Sequence, residues 1–375
     1  MSLIGAYRRQ PGNHHAFIPV AFPIKVPLKW DTDLLYLLSQ ADIAIGGLKD
    51  ISRLVPDVDF FILMYVNKEA TLSSQIEGTQ ATLIDYVKAQ AEPSEDAPSD
   101  IDEIRNYIKA MNYGLDRLKT FPLSLRLICE IHERLLHGVR GKHRAPGEFR
   151  STQNWIGGPS IETATFVPPP VHEMKAALSD LEKFMHAKDR MPILIKTGLL
   201  HAQFETIHPF LDGNGRSGRL LITLFLCQAG ILPTPLLYLS EFFKRHRTTY
   251  YDRLNAYRFS ENGIEAWLKF FLEGVKTVAD EALETAKKIT ELRESHMKTI
   301  SFFGKSTPSA RLLLDHLYAQ PVVNAKQVAM ATKLASKVSV NRLIDRFVVE
   351  GILIEITGKQ RDRKYLYRSY VKLFE

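Results

Sequence analysis

His208-Pro209-Phe210-Leu211-Asp212-Gly213-Asn214-Gly215-Arg216-Ser217-Gly218-Arg219 joins two apolar, helix-patterned stretches, and its reading decides the fold. A residue before proline is pushed out of helical geometry, so one helix ends at His208-Pro209. The two glycines in Asp212-Gly213-Asn214-Gly215 let backbone N–H groups turn toward one point, forming an anion-binding nest. An apolar helix restarts near Gly215, and its N-terminus adds unpaired N–H groups and a dipole that favours phosphate. Arg216 and Arg219 stand three apart, so both guanidiniums project from one face of the first turns. Two such forks beside a nest suit a polyphosphate. Asp212 could hold Mg²⁺ bridging the phosphates. His208, at the edge, can take a proton near neutral pH.

The segment resembles the signature of the Fic (Fic/DOC) family, H-x-F-x-[DE]-G-N-G-R-x-x-R. All eight specified positions match: His208, Phe210, Asp212, Gly213, Asn214, Gly215, Arg216 and Arg219. The similar region spans about 100 to 290, including the helix before the motif and Thr165–Pro170. The resemblance implies an all-α core that transfers AMP from ATP to a Ser, Thr or Tyr hydroxyl of a target protein. It implies His208 as general base, Phe210 as the loop's anchor in the core and Asp212 as the Mg²⁺ ligand. Gly213, Asn214 and Gly215 would cradle the α- and β-phosphates, Arg216 the β-phosphate and Arg219 the γ-phosphate. Thr165, Phe166 and Val167 would form a flap that aligns the target chain by β-augmentation. Tyr250 or Tyr251 would wall the adenine. The phosphorylating DOC branch has a lysine where Gly215 stands and lacks the final arginine, so AMP transfer is the expectation.

Further upstream, Ser73-Ser74-Gln75-Ile76-Glu77-Gly78 matches the family's inhibitory pattern, [S/T]-x-x-x-E-[G/N], at Ser73, Glu77 and Gly78. Ser73 and Glu77 are four apart and share one helix face. The match implies that Glu77 pairs with Arg219 and blocks the γ-phosphate.

The first thirty residues read as an extended arm lying on something else. Helical spacing runs over 31–54, 57–68, 69–90 on both sides of Gly78, 101–119, 123–139, 171–188, 192–207, 215–229, 248–258 and 264–298. The acidic, proline-punctuated stretch 91–100 reads as a linker or exposed loop. The β-prone pieces 151–156 and 162–167, with glycines between them, predict a hairpin. The end reads as helices over 309–319, 325–331 and 336–349, then 352–357, a turn and 364–370: a winged helix-turn-helix. The expected class is therefore mainly α. The expected division is an N-terminal helical region with the inhibitory motif over 1–95, a Fic-type core with a hairpin flap over 96–298 and a winged helix over 299–375.

At 375 residues the chain has room for two or three folded units, and its 45% hydrophobic and 24% charged residues are ordinary for a globular protein. Of its net charge of +7, six units fall within 309–375, where twelve Lys and Arg face six Asp and Glu. Such an asymmetry suggests a polyanionic partner for that module, duplex DNA being the one its expected shape favours. Cys129 and Cys227 are too few for a disulfide framework or a four-cysteine metal site, and both lie in apolar stretches. Buried reduced thiols, with no export signal after Met1, point to the cytoplasm. Leu220–Leu239 is apolar, but Gln228, Gly230, Pro233 and Pro235 interrupt it, so a buried core helix is expected and no membrane partner. A homodimer is compatible with the sequence.

Three alternatives stand beside AMP transfer. The core could be a nucleotide sensor in a DNA-binding regulator. The same site could remove AMP, with Glu77 orienting water. His201, Glu205 and His208 share one helix face and could hold a metal for a hydrolase.

Overall fold

The structure is a computed structural model and describes residues 4–12, 14–23, 28–49, 51, 55, 58–91, 99–232 and 234–375. Most of the expected linker, and with it the boundary at 95, lies outside them. The N-terminal arm is a two-stranded antiparallel hairpin, β1 (Gly5–Gln10) and β2 (His14–Pro19), with Tyr7 opposite Phe17.

Helix α1 (Thr32–Leu48) starts where Asp31 accepts the Leu34 N–H at 2.8 Å. Its buried stripe is Leu34, Leu38, Ala41, Ile45 and Leu48. The sequence predicts separate helices over 57–68 and 69–90. Instead one helix, α2 (Val58–Ile76), runs through 68–69, and α3 (Leu83–Ala91) follows. No breaker interrupts α2 before Gly78, whose φ of +106° suits glycine and ends the run.

The core helices follow. They are α4 (Ser99–Leu118), α5 (Leu125–Leu135), α6 (Val171–His186), α7 (Ile193–Ile207) and α8 (Asn214–Gln228). Nearly every residue of α7 is buried, so this helix is the centre of the protein. Burying Leu194, Ile195, Leu200, Phe204 and Ile207 stabilises the fold by roughly 1.5–3 kcal/mol per side chain, as an upper bound. Gly198 lets α7 approach closely: a Cβ there would press on Leu268 and Phe271, and its carbonyl accepts the Trp267 indole N–H at 2.8 Å. Short α9 (Ser240–Arg245) and α10 (Arg247–Phe259) precede α11 (Gly263–Ser301), a 39-residue helix that lies along α1, α7 and α10 and leads out of the core. Among the described residues no helix is long and apolar enough to cross a membrane.

The predicted hairpin over 151–167 is one antiparallel bridge, Ile156 to Phe166, around a 3-10 turn at Ile161–Thr163. Gly157 and Gly158 both sit at positive φ, and Pro168-Pro169-Pro170 has no N–H groups, so no ladder can extend from it.

The end of the chain holds α12 (Thr307–Ala319), β3 (Val322–Asn324), α13 (Ala325–Thr332), α14 (Lys337–Val349), β4 (Ile354–Glu355), β5 (Lys364–Leu366) and α15 (Arg368–Val371). The three strands pair antiparallel in the order β3-β5-β4. Phe374 then packs onto Tyr65 of α2, ring centroids 5.5 Å apart.

Candidate functional site

Helix α7 stops at His208, which adopts φ 48° and ψ 61°, left-handed backbone that few non-glycine residues take. The loop that follows is closed from inside. Phe210 is fully buried and stacks on His132 at 3.7 Å. The Asn214 side chain accepts the Phe210 N–H and donates to the Phe210 carbonyl, both at 2.8 Å. The amide oxygen and one amide N–H are thus committed to closing the loop. Gly213, at φ 77°, makes the turn into α8. The first N–H groups of α8 have no intrahelical acceptor and point out of the helix end.

Arg216 and Arg219 are both buried, and their surroundings differ. The Arg216 Nη1 lies 3.6 Å from Glu103, and its Nη2 lies 3.8 Å from Asp212. Its Nε and Nη1 have no hydrogen-bond partner. Such an orphaned guanidinium is costly unless a further acceptor arrives. Arg219 is held through Nε and Nη2. Its Nε donates to the Ser73 hydroxyl at 2.8 Å, and its Nη2 donates to the Ser73 carbonyl at 3.0 Å and to Glu77 Oε1 at 2.7 Å. The structure thus brings the upstream Ser73 and Glu77 to the loop. Burial opposes charge on Glu77, but Arg219 outweighs it and holds the carboxyl below its usual range. A Cβ at Gly215 would collide with the Glu77 carboxylate, so that carboxylate lies over the start of α8.

His208 has one-fifth of its side chain exposed, and its Nδ1 lies 3.8 Å from Glu205 Oε2. Burial, reinforced by Arg258 and Arg150, pushes its imidazole down to about 3, so the ring is neutral near pH 7. Burial pushes Glu205 the other way, up to about 7. Asp212 is part-exposed, and its Oδ1 accepts the Gly213 N–H at 2.6 Å.

The metal reading of His201, Glu205 and His208 fails. His201 Nδ1 faces the Gly218 carbonyl and its Nε2 the Tyr250 hydroxyl, both at 2.9 Å. A carbonyl only accepts, so Nδ1 carries the proton and Nε2 takes the Tyr250 O–H. Neither nitrogen is left for a metal. Among the described residues no group of three or more His, Cys, Asp or Glu could hold an ion. The same bond corrects the reading of Tyr250: it is buried among Phe243 and Trp267 and has no face for an adenine. Tyr251, 39% exposed, still has one.

At the flap, the Phe166 main chain exchanges both hydrogen bonds with Ile156. Successive residues alternate, so Thr165 and Val167 face the opposite edge. There the Val167 carbonyl already accepts the Phe17 N–H of β2 at 2.9 Å. The exposed Thr165 is the open part of that edge. Sequence reasoning missed this arm-to-flap contact, and also Glu103, Arg150 and Arg258, which belong to no motif.

The core is thus helical, with a glycine turn between two buried helices, a buried arginine at its floor and a neutral imidazole at its rim. Two family models match it: Fic/DOC family N-terminal over 35–116 and Fic/DOC family over 122–226. The chain belongs to the Fic/DOC family. It is 31% identical over 160 residues to a protein of Culex quinquefasciatus named "Protein adenylyltransferase Fic", covering 42% of this chain and 29% of that one. The chain thus spans about three-tenths of the length of such insect relatives. A relative in Aquifex aeolicus, named "Probable protein adenylyltransferase", is 27% identical over 284 residues, 73% of this chain and 76% of that one. Among solved structures, a Fic family protein from Desulfovibrio desulfuricans shares the fold with a TM-score of 0.59 at 18% identity, over 92% of this chain and 98% of that one. A Fic domain-containing signaling protein from Bacteroides thetaiotaomicron follows, with a TM-score of 0.54 at 21% identity over 69% and 97%.

Proposed function

We propose that this chain transfers AMP from ATP to a Ser, Thr or Tyr hydroxyl of a target protein, and that Glu77 restrains it. The observation that carries the reading is Arg216, a buried guanidinium with two unpartnered nitrogens beside the open N–H groups of α8. A polyphosphate supplies the acceptors both lack. His208 takes the proton of the target hydroxyl. The freed oxygen attacks the α-phosphorus, the bond to the bridging oxygen breaks and pyrophosphate leaves. The Thr165 edge holds the target chain in extended form. Asp212 fits Mg²⁺, which takes one or two carboxylates and fills its remaining positions with phosphates and water. When bound, the ion would offset charge on the phosphates. Tyr251 is the better-placed of the two tyrosines for adenine. Glu77 lies where the terminal phosphate would reach Arg219 and competes as an anion of its own.

This proposal includes the division into 1–95, 96–298 and 299–375 and the reading of the last unit as a winged helix. Its exposed Lys337, Arg342, Lys359, Arg361 and Arg363 favour a second role in binding duplex DNA. The test is to incubate the purified chain and its Glu77→Gly variant with ATP labelled at the α- or the γ-phosphate, plus cell lysate. Label on protein from the α-position alone supports AMP transfer. Label from the γ-position, or none from either, rejects it. Loss of label from previously modified protein would instead support AMP removal.

A further inference from the structure

Two arginines outside every motif flank His208. Arg150, 1% exposed, donates through Nε to the His208 carbonyl at 3.0 Å and through Nη1 to the Thr152 carbonyl at 3.3 Å. Its Nη2 reaches the Pro169 carbonyl at 2.5 Å and the Ile207 carbonyl at 3.4 Å. Arg258, 3% exposed, comes from α10. It donates to the Glu205 carbonyl at 3.1 Å, the Thr206 hydroxyl at 3.3 Å and the Asn255 amide oxygen at 3.2 Å. Its guanidinium also lies over the Phe166 ring, 4.0 Å from the centroid. None of these hydrogen-bond acceptors is a carboxylate. Burying a guanidinium with no hydrogen-bonded carboxylate is expensive, and simple packing would not require it.

We infer that Arg150 and Arg258 are positioning residues: they fasten the flap to the end of α7 and surround the His208 imidazole with fixed positive charge. Each touches both sides. Arg150 joins the carbonyls of Ile207 and His208 to that of Pro169, at the flap's exit. Arg258 joins the carbonyl of Glu205 to the ring of Phe166. The distance from flap to imidazole is therefore set by two rigid forks, and lysine could not copy their geometry. Their charge has a second effect. A helix C-terminus favours a protonated histidine, and α7 ends at His208. The two guanidiniums take up the carbonyls at that end and repel an imidazolium. The charged groups facing the ring are Arg150, Arg258 from α10, Glu205 from α7 and Glu77 from the turn after α2. Burial acts first, and the arginines add to it.

The inference rests on the reading of His208 as the base, but half of its test needs no activity. The His208 ring resonances are followed by NMR from about pH 8 down to about pH 4, below the range where an ordinary histidine titrates. A His208→Ala spectrum assigns them, and melting curves confirm folding. The parent and Arg258→Lys rings should stay neutral throughout. In Arg258→Met and Arg258→Gln, the latter kept as a milder neutral replacement, the ring should begin to protonate, with its pKa raised by about one unit. Flat profiles in both neutral variants would overturn the electrostatic role. In a Glu77→Gly background, Arg150→Lys and Arg258→Lys should lower the self-labelling rate about tenfold with KM for ATP unchanged. Full rates, or a loss that follows KM for ATP, would overturn the positioning role. If Glu77→Gly itself transfers nothing, the AMP-transfer reading fails, while the ring titration still judges the arginines.

Discussion

The Glu77 carboxylate lies 2.7 Å from the Arg219 guanidinium, 142 residues further along the chain. Ser73, one helical turn before Glu77, holds the same guanidinium through its hydroxyl and its carbonyl. Helix α2 thus grips the arginine that a terminal phosphate would need. A charge-assisted carboxylate–guanidinium bond is strong enough to compete for it. Glu77→Gly should raise auto-adenylylation clearly at matched Mg²⁺ and ATP. Arg219→Ala in the same background should bring it down again. Equal labelling by wild type and Glu77→Gly would reject the inhibitory role and leave the AMP-transfer reading standing.

His208→Ala should lower AMP transfer by about 10²–10⁴-fold, the usual contribution of a positioned base. ATP binding should survive, because Arg216 and the start of α8 are untouched. Calorimetric titration of the Glu77→Gly, His208→Ala protein with ATP checks the second half. Full transfer by the alanine variant would remove His208 from the role of base.

What the sequence revealed and what it hid have physical causes. Helices such as α1 and α7 were legible because apolar residues recur along one short stretch. The loop from His208 to Arg219 was legible because its breakers, turn residues and cations are consecutive. The flap pairs over less length than its β-prone residues suggest, because Gly157, Gly158 and three prolines keep the ladder from extending. Tyr250 looked like a ligand wall because its partner, His201, is 49 residues away. Arg150 is 58 residues from the carbonyl it caps, and only the fold brings them together.

Arg346 illustrates the same limit in the terminal module. It lies with Lys337 and Arg342 on the predicted helix 336–349, the one a winged helix-turn-helix would set against DNA. In the structure it stacks over the Phe303 ring at 3.8 Å and donates to the Phe303 carbonyl at 2.9 Å. The full chain should bind duplex DNA with an affinity that falls steeply as salt rises. Arg342→Ala and Arg361→Ala should weaken that binding and flatten its salt dependence, while Arg346→Ala should chiefly lower the melting temperature. No gel shift of a mixed-sequence duplex at low salt would reject the DNA role.

Glu205 gives the protein a distinctive response to pH. It is buried under Gly218, and its Oε1 has no hydrogen-bond partner. Burial raises its pKa from 4.5 to about 7, Arg219 and Arg258 opposing and Glu77 assisting. Between these two values the folded chain binds a proton that the unfolded chain has released. Stability linked to Glu205 is therefore complete below about pH 4.5 and is lost as pH rises toward 7. The whole effect is at most about 3 kcal/mol, at 1.36 kcal/mol per pKa unit. Glu205→Gln cannot titrate and lacks this slope. His201 and His208 act in the opposite direction, both being buried neutral, but they are common to the two proteins and largely cancel in the difference. Urea unfolding of wild type and Glu205→Gln across this range should show the wild type losing ground to the variant as pH rises, and levelling off above about pH 7. If the two stability curves run parallel, Glu205 is ionised in the folded protein and the proton lies elsewhere.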